Sequence, residues 1–310
     1  MHTDTFTSRY SFWKITFFMT WAGVVFTAGW ILRCLSSYHP ANKNLYICQS
    51  VLTLAGPPIY SATAYNVLGR LMRYLPMHAP LHPGRVMIVF IYLGIAVESL
   101  TGAGASMLAT ASIENPSKAT TGGTLLSISL VLQGVIEIVF VSVVALVHRR
   151  CVRHTMLPFN VRAVCIMLYG TSTLVLFRCI FRAIESFAVY TTTDCDDSLC
   201  RLVVRHEWYL YAFEGAPMVL YTFWINLVHP GRLLPSSHNR YLDFDAATER
   251  VGPGWIDTRS RWETFVDPLD LGGTLRGKPA HEAFWLKVDD WPVAEGGSFA
   301  LGTATNVKKK

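Results

Sequence analysis

The sequence predicts an all-α, polytopic transmembrane helical bundle, and three observations carry that prediction. Half of the residues, 51%, are hydrophobic and only 15% are charged, well below the roughly 25% charge of soluble domains. The mean hydropathy is +0.32. Six long apolar runs recur along the chain, and each reaches the roughly 18 residues needed to cross a bilayer core as a helix. None shows the period-2 alternation of a membrane β-barrel, so helices are the only spanning structure that fits.

The runs are Ile15 to Leu32, Leu45 to Gly69, Val86 to Thr110, Leu125 to Val147, Ala163 to Ile184 and Trp208 to Val228. Residues 1–14 precede them and carry acid as well as base. The first run is longer than a signal-peptide core and shows no small-x-small cleavage site, so it reads as a retained span rather than a leader. Residues 15–228 thus form the transmembrane domain.

Arginine placement sets the expected orientation. Arg9 and Lys14 precede the first run, Arg70, Arg73 and Arg85 lie between the second and third, and Arg149, Arg150, Arg153 and Arg162 lie between the fourth and fifth. The alternate connections are poorer in base, and the last holds Asp194, Asp196, Asp197 and Glu207. The positive-inside rule then puts both termini in the cytoplasm. After Val228, His229-Pro230-Gly231 ends the helix, and residues 229–310 read as a largely disordered cytoplasmic tail. Its tryptophans Trp255, Trp262, Trp285 and Trp291 are suited to a partner-binding or membrane-surface segment.

Polar groups inside the runs are the candidate functional residues, because charge at bilayer depth is costly. Arg178, Arg182 and Glu185 follow one helix face in the fifth run, and Glu214 in the sixth falls at nearly the level of Arg182. The expected arrangement is an intramembrane ion-pair network centred on Arg182 and Glu214; the alternative is arginines that snorkel to headgroups. Glu98, Gln133 and Glu137 lie near the midplane of the third and fourth runs. They are candidates for a substrate path. Pro57 and Pro58 remove two backbone donors in the second run, which reads either as a helix break lining that path or as an ordinary kink.

Cys195 and Cys200 share the acidic connection, where a local disulfide and two free thiols are both open readings. Gly102 to Ser106 offer a small-residue face for close helix approach. No P-loop, HExxH, GxSxG or CxxC motif is present, so the chain is read as a non-enzyme with no metal, cofactor or nucleic-acid partner.

Several separated segments together resemble the fungal lipid-translocating exporter family. They are Gln49 to Arg70 (QSVLTLAGPPIYSATAYNVLGR), Ser129 to Gln133 (SLVLQ), Phe177 to Glu185 (FRCIFRAIE), His206-Glu207, Tyr211 to Met218 and Val228 to Gly231. That family includes proteins named for aminocholesterol resistance and for export of sphingoid long-chain bases. The resemblance implies a multi-pass protein of the plasma membrane or an endomembrane, with membrane lipids, sphingoid bases among them, as partners and a role in stress or toxic-lipid resistance. It also implies seven spans, against the six here, so that the family's first helix is expected to be missing from this chain. The competing functional readings are a heptahelical-receptor-like sensor whose tail recruits a cytoplasmic partner, and a carrier of porphyrin-like or sterol-like amphiphiles.

Overall fold

The structure, a computed structural model, describes residues 12–39, 41–110, 116–154, 157–190, 206–235, 237–255, 262–263, 267, 271–277, 283–287 and 290–294. Five uninterrupted long helices and one interrupted helix account for most of these residues. They are α1 (Phe12–Tyr38), α2 (Lys43–Tyr74), α3 (Pro83–Thr110), α4 (Pro116–Arg153), α5 (Phe159–Tyr190) and α6 (208–227).

Local chemistry explains the helix starts. Asn42 caps α2 by accepting from the Leu45 amide at 3.3 Å, satisfying one of the orphan donors of the first turn. Pro83 and Pro116 stand at the first positions of α3 and α4, where a missing N–H costs nothing. Four helices, α1, α3, α4 and α5, are long and apolar enough to cross a membrane by length and composition. The remaining two fall outside that set for structural reasons. Helix α2 is buried along most of its second half, so its polar side chains face protein, and α6 is broken up by a π-helical turn.

Sequential helices pack as neighbours, and α5 also lies against α2 and α6. Most of the buried apolar side chains form one cluster that runs from Phe26 on α1 through Leu68, Phe140 and Leu168 to Ile225 on α6. Specific contacts fix the register. Thr101 Oγ1 donates to Ser129 Oγ at 2.9 Å between α3 and α4, and Ser127 and Ser186 hydroxyls meet at 2.7 Å between α4 and α5.

The small-residue face of α3 is used at one of its glycines. A Cβ at Gly104 would stand 2.9 Å from the Leu126 nitrogen and 3.0 Å from the Gly122 carbonyl, whereas one at Gly102 would meet nothing. Gly104→Ala therefore destabilises by about 1–3 kcal/mol through overpacking against backbone. Gly102→Ala is neutral or stabilises by up to about 1 kcal/mol, since glycine is a poor helix former. Thermal melts of the two purified variants check this contrast.

Pro57 and Pro58 do not break α2, which runs on through them from Lys43 to Tyr74. The neighbouring glycine instead serves packing: a Cβ at Gly56 would lie 2.8 Å from the Phe26 ring, as one at Gly29 would lie 2.8 Å from Thr53 Oγ1. The proline pair thus sits in a tight α1–α2 seam rather than at a helix discontinuity.

The segment after α6 departs from the expectation of a largely disordered tail. A one-turn helix, α7 (Pro230–Leu233), leads to a two-stranded antiparallel hairpin of β1 (Arg240–Leu242) and β2 (Glu249–Val251). The hairpin docks on the end of α2, where the Tyr74 hydroxyl donates to the buried Glu249 carboxylate at 2.7 Å. Arg250 extends the fold by pairing with Asp243 at 2.6 Å and donating to the Trp291 carbonyl at 2.9 Å. A short helix, α8 (Leu271–Leu275), also lies in this region. The aromatic content explains the order: Tyr241, Trp255, Phe284 and Trp285 meet at centroid distances of 5.2 to 6.3 Å.

At this hairpin end of the bundle, the turn between α2 and α3 buries His78, whose ring stacks on His154 at 5.2 Å. Burial, with the nearby charges of His154 and Arg150, pulls the His78 pKa down to about 4 from 6.5. An unfolded chain takes up the proton first as pH falls, so this contribution to stability is intact above about pH 6.5 and is lost progressively toward pH 4. The melting temperature is expected to fall between pH 7.5 and 5, with His78→Gln flattening that slope.

Candidate intramembrane polar site

Arg178 and Glu214 form the centre of the site. Both side chains are 0% exposed, and Arg178 Nη2 donates to Glu214 Oε1 at 2.9 Å. One helical turn further along α5, Arg182 places Nε 3.3 Å from Glu214 Oε2 and Nη1 2.5 Å from Glu185 Oε2. The sequence reading paired Arg182 with Glu214; the shorter contact belongs to Arg178, and Arg182 bridges Glu214 to Glu185. Two cations and two anions are thus balanced within one layer, which offsets the cost of removing them from water.

Local backbone geometry aims Glu214 inward. Residues Tyr211–Gly215 form a π turn, an i→i+5 bulge that rotates the following side chains and is often found at functional sites. Pro217 lies just beyond it and supplies no N–H, so the regular i→i+4 ladder loses a donor here. Aromatic rings hold the bulge. Trp30 of α1 stacks on Tyr211 at 5.3 Å and approaches Gly215, and Phe213 stacks on Phe177 and Phe181 of α5.

The carboxyls proposed from sequence lie on the adjoining side. The Thr101–Ser129 and Ser127–Ser186 contacts set α3, α4 and α5 in register, so Glu98, Gln133 and Arg178 fall within about one helical turn of one level. Glu98 is half-buried and within electrostatic reach of Arg178. The Nε2 of Gln133 has no hydrogen-bond partner among the described residues.

Glu137 lies about a turn and a half deeper toward the hairpin end. It is 2% exposed, and the Tyr65 hydroxyl of α2 donates to its Oε2 at 3.5 Å. Ser172 of α5 and Tyr221 of α6 also face it, and no cation pairs with it among the described residues. Tyr221 in turn donates to the Tyr60 carbonyl at 2.8 Å, tying α6 to α2 just below the proline pair. Sequence reasoning missed Tyr65 and Tyr221 as the surround of Glu137. Phenols in the middle of apolar runs were the available signal. Cys195 and Cys200 lie outside the described residues.

The site therefore holds a neutralised ion-pair layer beside two carboxyls, one shielded by phenols and one half-open between helices. A model describing RTA1-like proteins matches residues 19–237 of this chain, a span that contains every one of these groups. The chain belongs to the RTA1-like family. A lipid-translocating exporter-like protein RTA1 of Leptosphaeria maculans is 35% identical over 260 residues, covering 79% of this chain and 49% of the relative. The chain thus spans about half the length of that relative. A protein of the same description from Ajellomyces capsulatus is 26% identical over 84% of this chain and 83% of its own length. A further relative, protoporphyrin uptake protein 1 of Saccharomyces cerevisiae, is 29% identical over 62% of this chain and 61% of its own length. No solved structure matches the chain. The RTA1-like assignment and the apolar helices agree on an integral, multi-pass membrane protein.

Proposed function

We propose that this protein moves an amphiphilic lipid between the leaflets of a membrane, with an amine-bearing sphingoid long-chain base as its substrate and tolerance of toxic lipid as its consequence. The observation that carries this reading is the pair of intramembrane carboxyls that form no ion pair among the described residues: Glu137 among phenols, and Glu98 half-open beside Arg178. An ammonium headgroup crossing the apolar core needs an anionic stepping point. Glu98 and Glu137 offer two, at successive depths, while the long alkyl chain stays in lipid. The names of the two exporter-like relatives support the same class of cargo. The ion-pair layer of Arg178, Arg182, Glu185 and Glu214 frames the path rather than contacting cargo, since its charges already satisfy one another.

The arginines at the hairpin end favour a cytoplasmic location for that end, in the plasma membrane or an endomembrane. The chain is read as a carrier and not an enzyme, driven by a gradient or by downhill movement. The protoporphyrin uptake relative supports a second cargo, a porphyrin. Purified protein in vesicles, tested with a fluorescent sphingoid base, a neutral acylated analogue and a porphyrin, distinguishes these readings. Selective movement of the sphingoid base is expected. Absence of any movement, together with a phenotype that depends only on the segment after α6, favours a sensor and overturns the proposal.

A further inference from the structure

Glu137 faces uncharged groups on the helices around it. Tyr65 of α2, Ser172 and Cys179 of α5 and Tyr221 of α6 surround the carboxyl, and α3 contributes no titratable neighbour among the described residues. Phe90 of α3 and Phe140 of α4 instead close on the Tyr65 ring, each at a centroid distance of 4.9 Å. Hydrogen-bond donors are equally scarce. Tyr221 commits its single O–H to the Tyr60 carbonyl, and Tyr65 donates to Glu137 Oε2 at 3.5 Å, the outer limit of such a contact.

The other deep carboxyls have compensation that Glu137 lacks. Glu214 has Arg178 and Arg182, and Glu98 has a half-open position with the Arg178 charge within reach. A permanent carboxylate at Glu137 would stand in the apolar core with neither, as an isolated buried ion. Held as the acid, it leaves the core uncharged. Ser172 suits both forms: its Oγ is buried without a hydrogen-bond partner among the described residues, and a hydroxyl accepts from an acid as readily as it donates to an anion.

Charge balance then links the proton to the cargo. An ammonium headgroup beside the acid form leaves one uncompensated positive charge in the core, whereas an ammonium beside the carboxylate leaves none. We infer that Glu137 exchanges a proton for the cationic headgroup, which makes the protein a one-for-one, electroneutral proton antiporter of amine-bearing lipid. When the headgroup arrives, the Glu137 O–H bond breaks and the proton passes to water on the side from which the lipid came. When the headgroup leaves, a proton from the opposite side re-forms the acid. The exchange rests on the carrier reading above and names the gradient that drives it.

Vesicles holding the full-length protein receive a sphingoid base with a fluorescent tail, either as the primary amine or as its N-trimethyl derivative, a fixed cation that carries no proton of its own. The lumen is made acidic, and an external reducing quencher reads the fraction left in the outer leaflet. Exchange enriches the fixed cation in the inner leaflet by about tenfold per unit of pH difference, the ratio at which one-for-one exchange reaches equilibrium. Nigericin, which dissipates the pH difference, abolishes that enrichment, and a potential set with potassium and valinomycin leaves it unchanged. Glu137→Gln loses the enrichment. Glu137→Asp keeps a carboxyl and reaches the same ratio more slowly, which keeps the test decisive if Glu137→Gln does not fold. Enrichment that follows the potential and ignores pH overturns the exchange and leaves the carrier reading intact as a uniporter. Movement of the primary amine without the fixed cation overturns it in the same way, and a pH response retained in Glu137→Gln removes Glu137 from the exchange. If neither probe moves, the carrier reading itself fails and the exchange with it.

Discussion

Glu214→Gln is expected to lower the stability of the folded protein by about 3–5 kcal/mol, among the largest single effects available in this chain. The amide preserves volume but removes the charge that balances Arg178 at 2.9 Å and Arg182 at 3.3 Å. Arg182 retains Glu185, whereas Arg178 is left 0% exposed with no ion pair among the described residues. Two of its nitrogens, Nε and Nη1, already lack partners among the described residues, so it has no second hydrogen bond there to fall back on. Arg178→Leu alone leaves Glu214 with Arg182 and is expected to cost less. Combining Arg178→Leu with Glu214→Gln removes the uncompensated charge, so the double variant should be more stable than the sum of the single effects by about 1–3 kcal/mol. Thermal midpoints of the four proteins measure this coupling, and strict additivity would falsify the pair.

The six-helix fold was legible because each helix carries its own signal, an apolar run closed by prolines, arginines or both. The layer of Arg178, Arg182, Glu185 and Glu214 was legible for a related reason: charges in such runs stand out, and helical spacing places them on one face. Which arginine meets Glu214 most closely was not. Counting from span ends assumes a uniform 1.5 Å rise, and the π turn at Tyr211–Gly215 adds a residue to that turn. The extra residue also turns the following side chains by about 100° around the helix axis, which a count along the axis does not register. The proline pair misled in the opposite direction. Its missing donors suggest a break, but α2 runs on through the pair, with Gly56 packed closely against Phe26. The hairpin after α6 was hidden because its strands are three residues long. They show no periodicity, and their order comes from nonlocal contacts such as Tyr74 with Glu249.

Glu137→Gln should separate transport from stability more sharply than any other substitution. The glutamine oxygen still accepts from Tyr65, and its size matches the space between Tyr65, Ser172 and Tyr221. It also removes a carboxyl that is 2% exposed and has no cationic partner among the described residues. An isolated buried carboxylate is costly, so the variant should melt at or above the wild-type temperature. Flux of an amine-bearing lipid should nevertheless fall by about tenfold or more, because the amide cannot neutralise an ammonium group within the apolar core. Glu98→Gln acts at a half-open position already influenced by Arg178. Its effect on flux should be smaller, about threefold, since an ion near lipid or water is partly solvated without the carboxylate. Reconstituted vesicles and melting curves on the same preparations supply both readouts. Intact flux in a well-folded Glu137→Gln protein would remove Glu137 from the path, whereas loss of flux with a lowered melting temperature would reduce it to a packing residue.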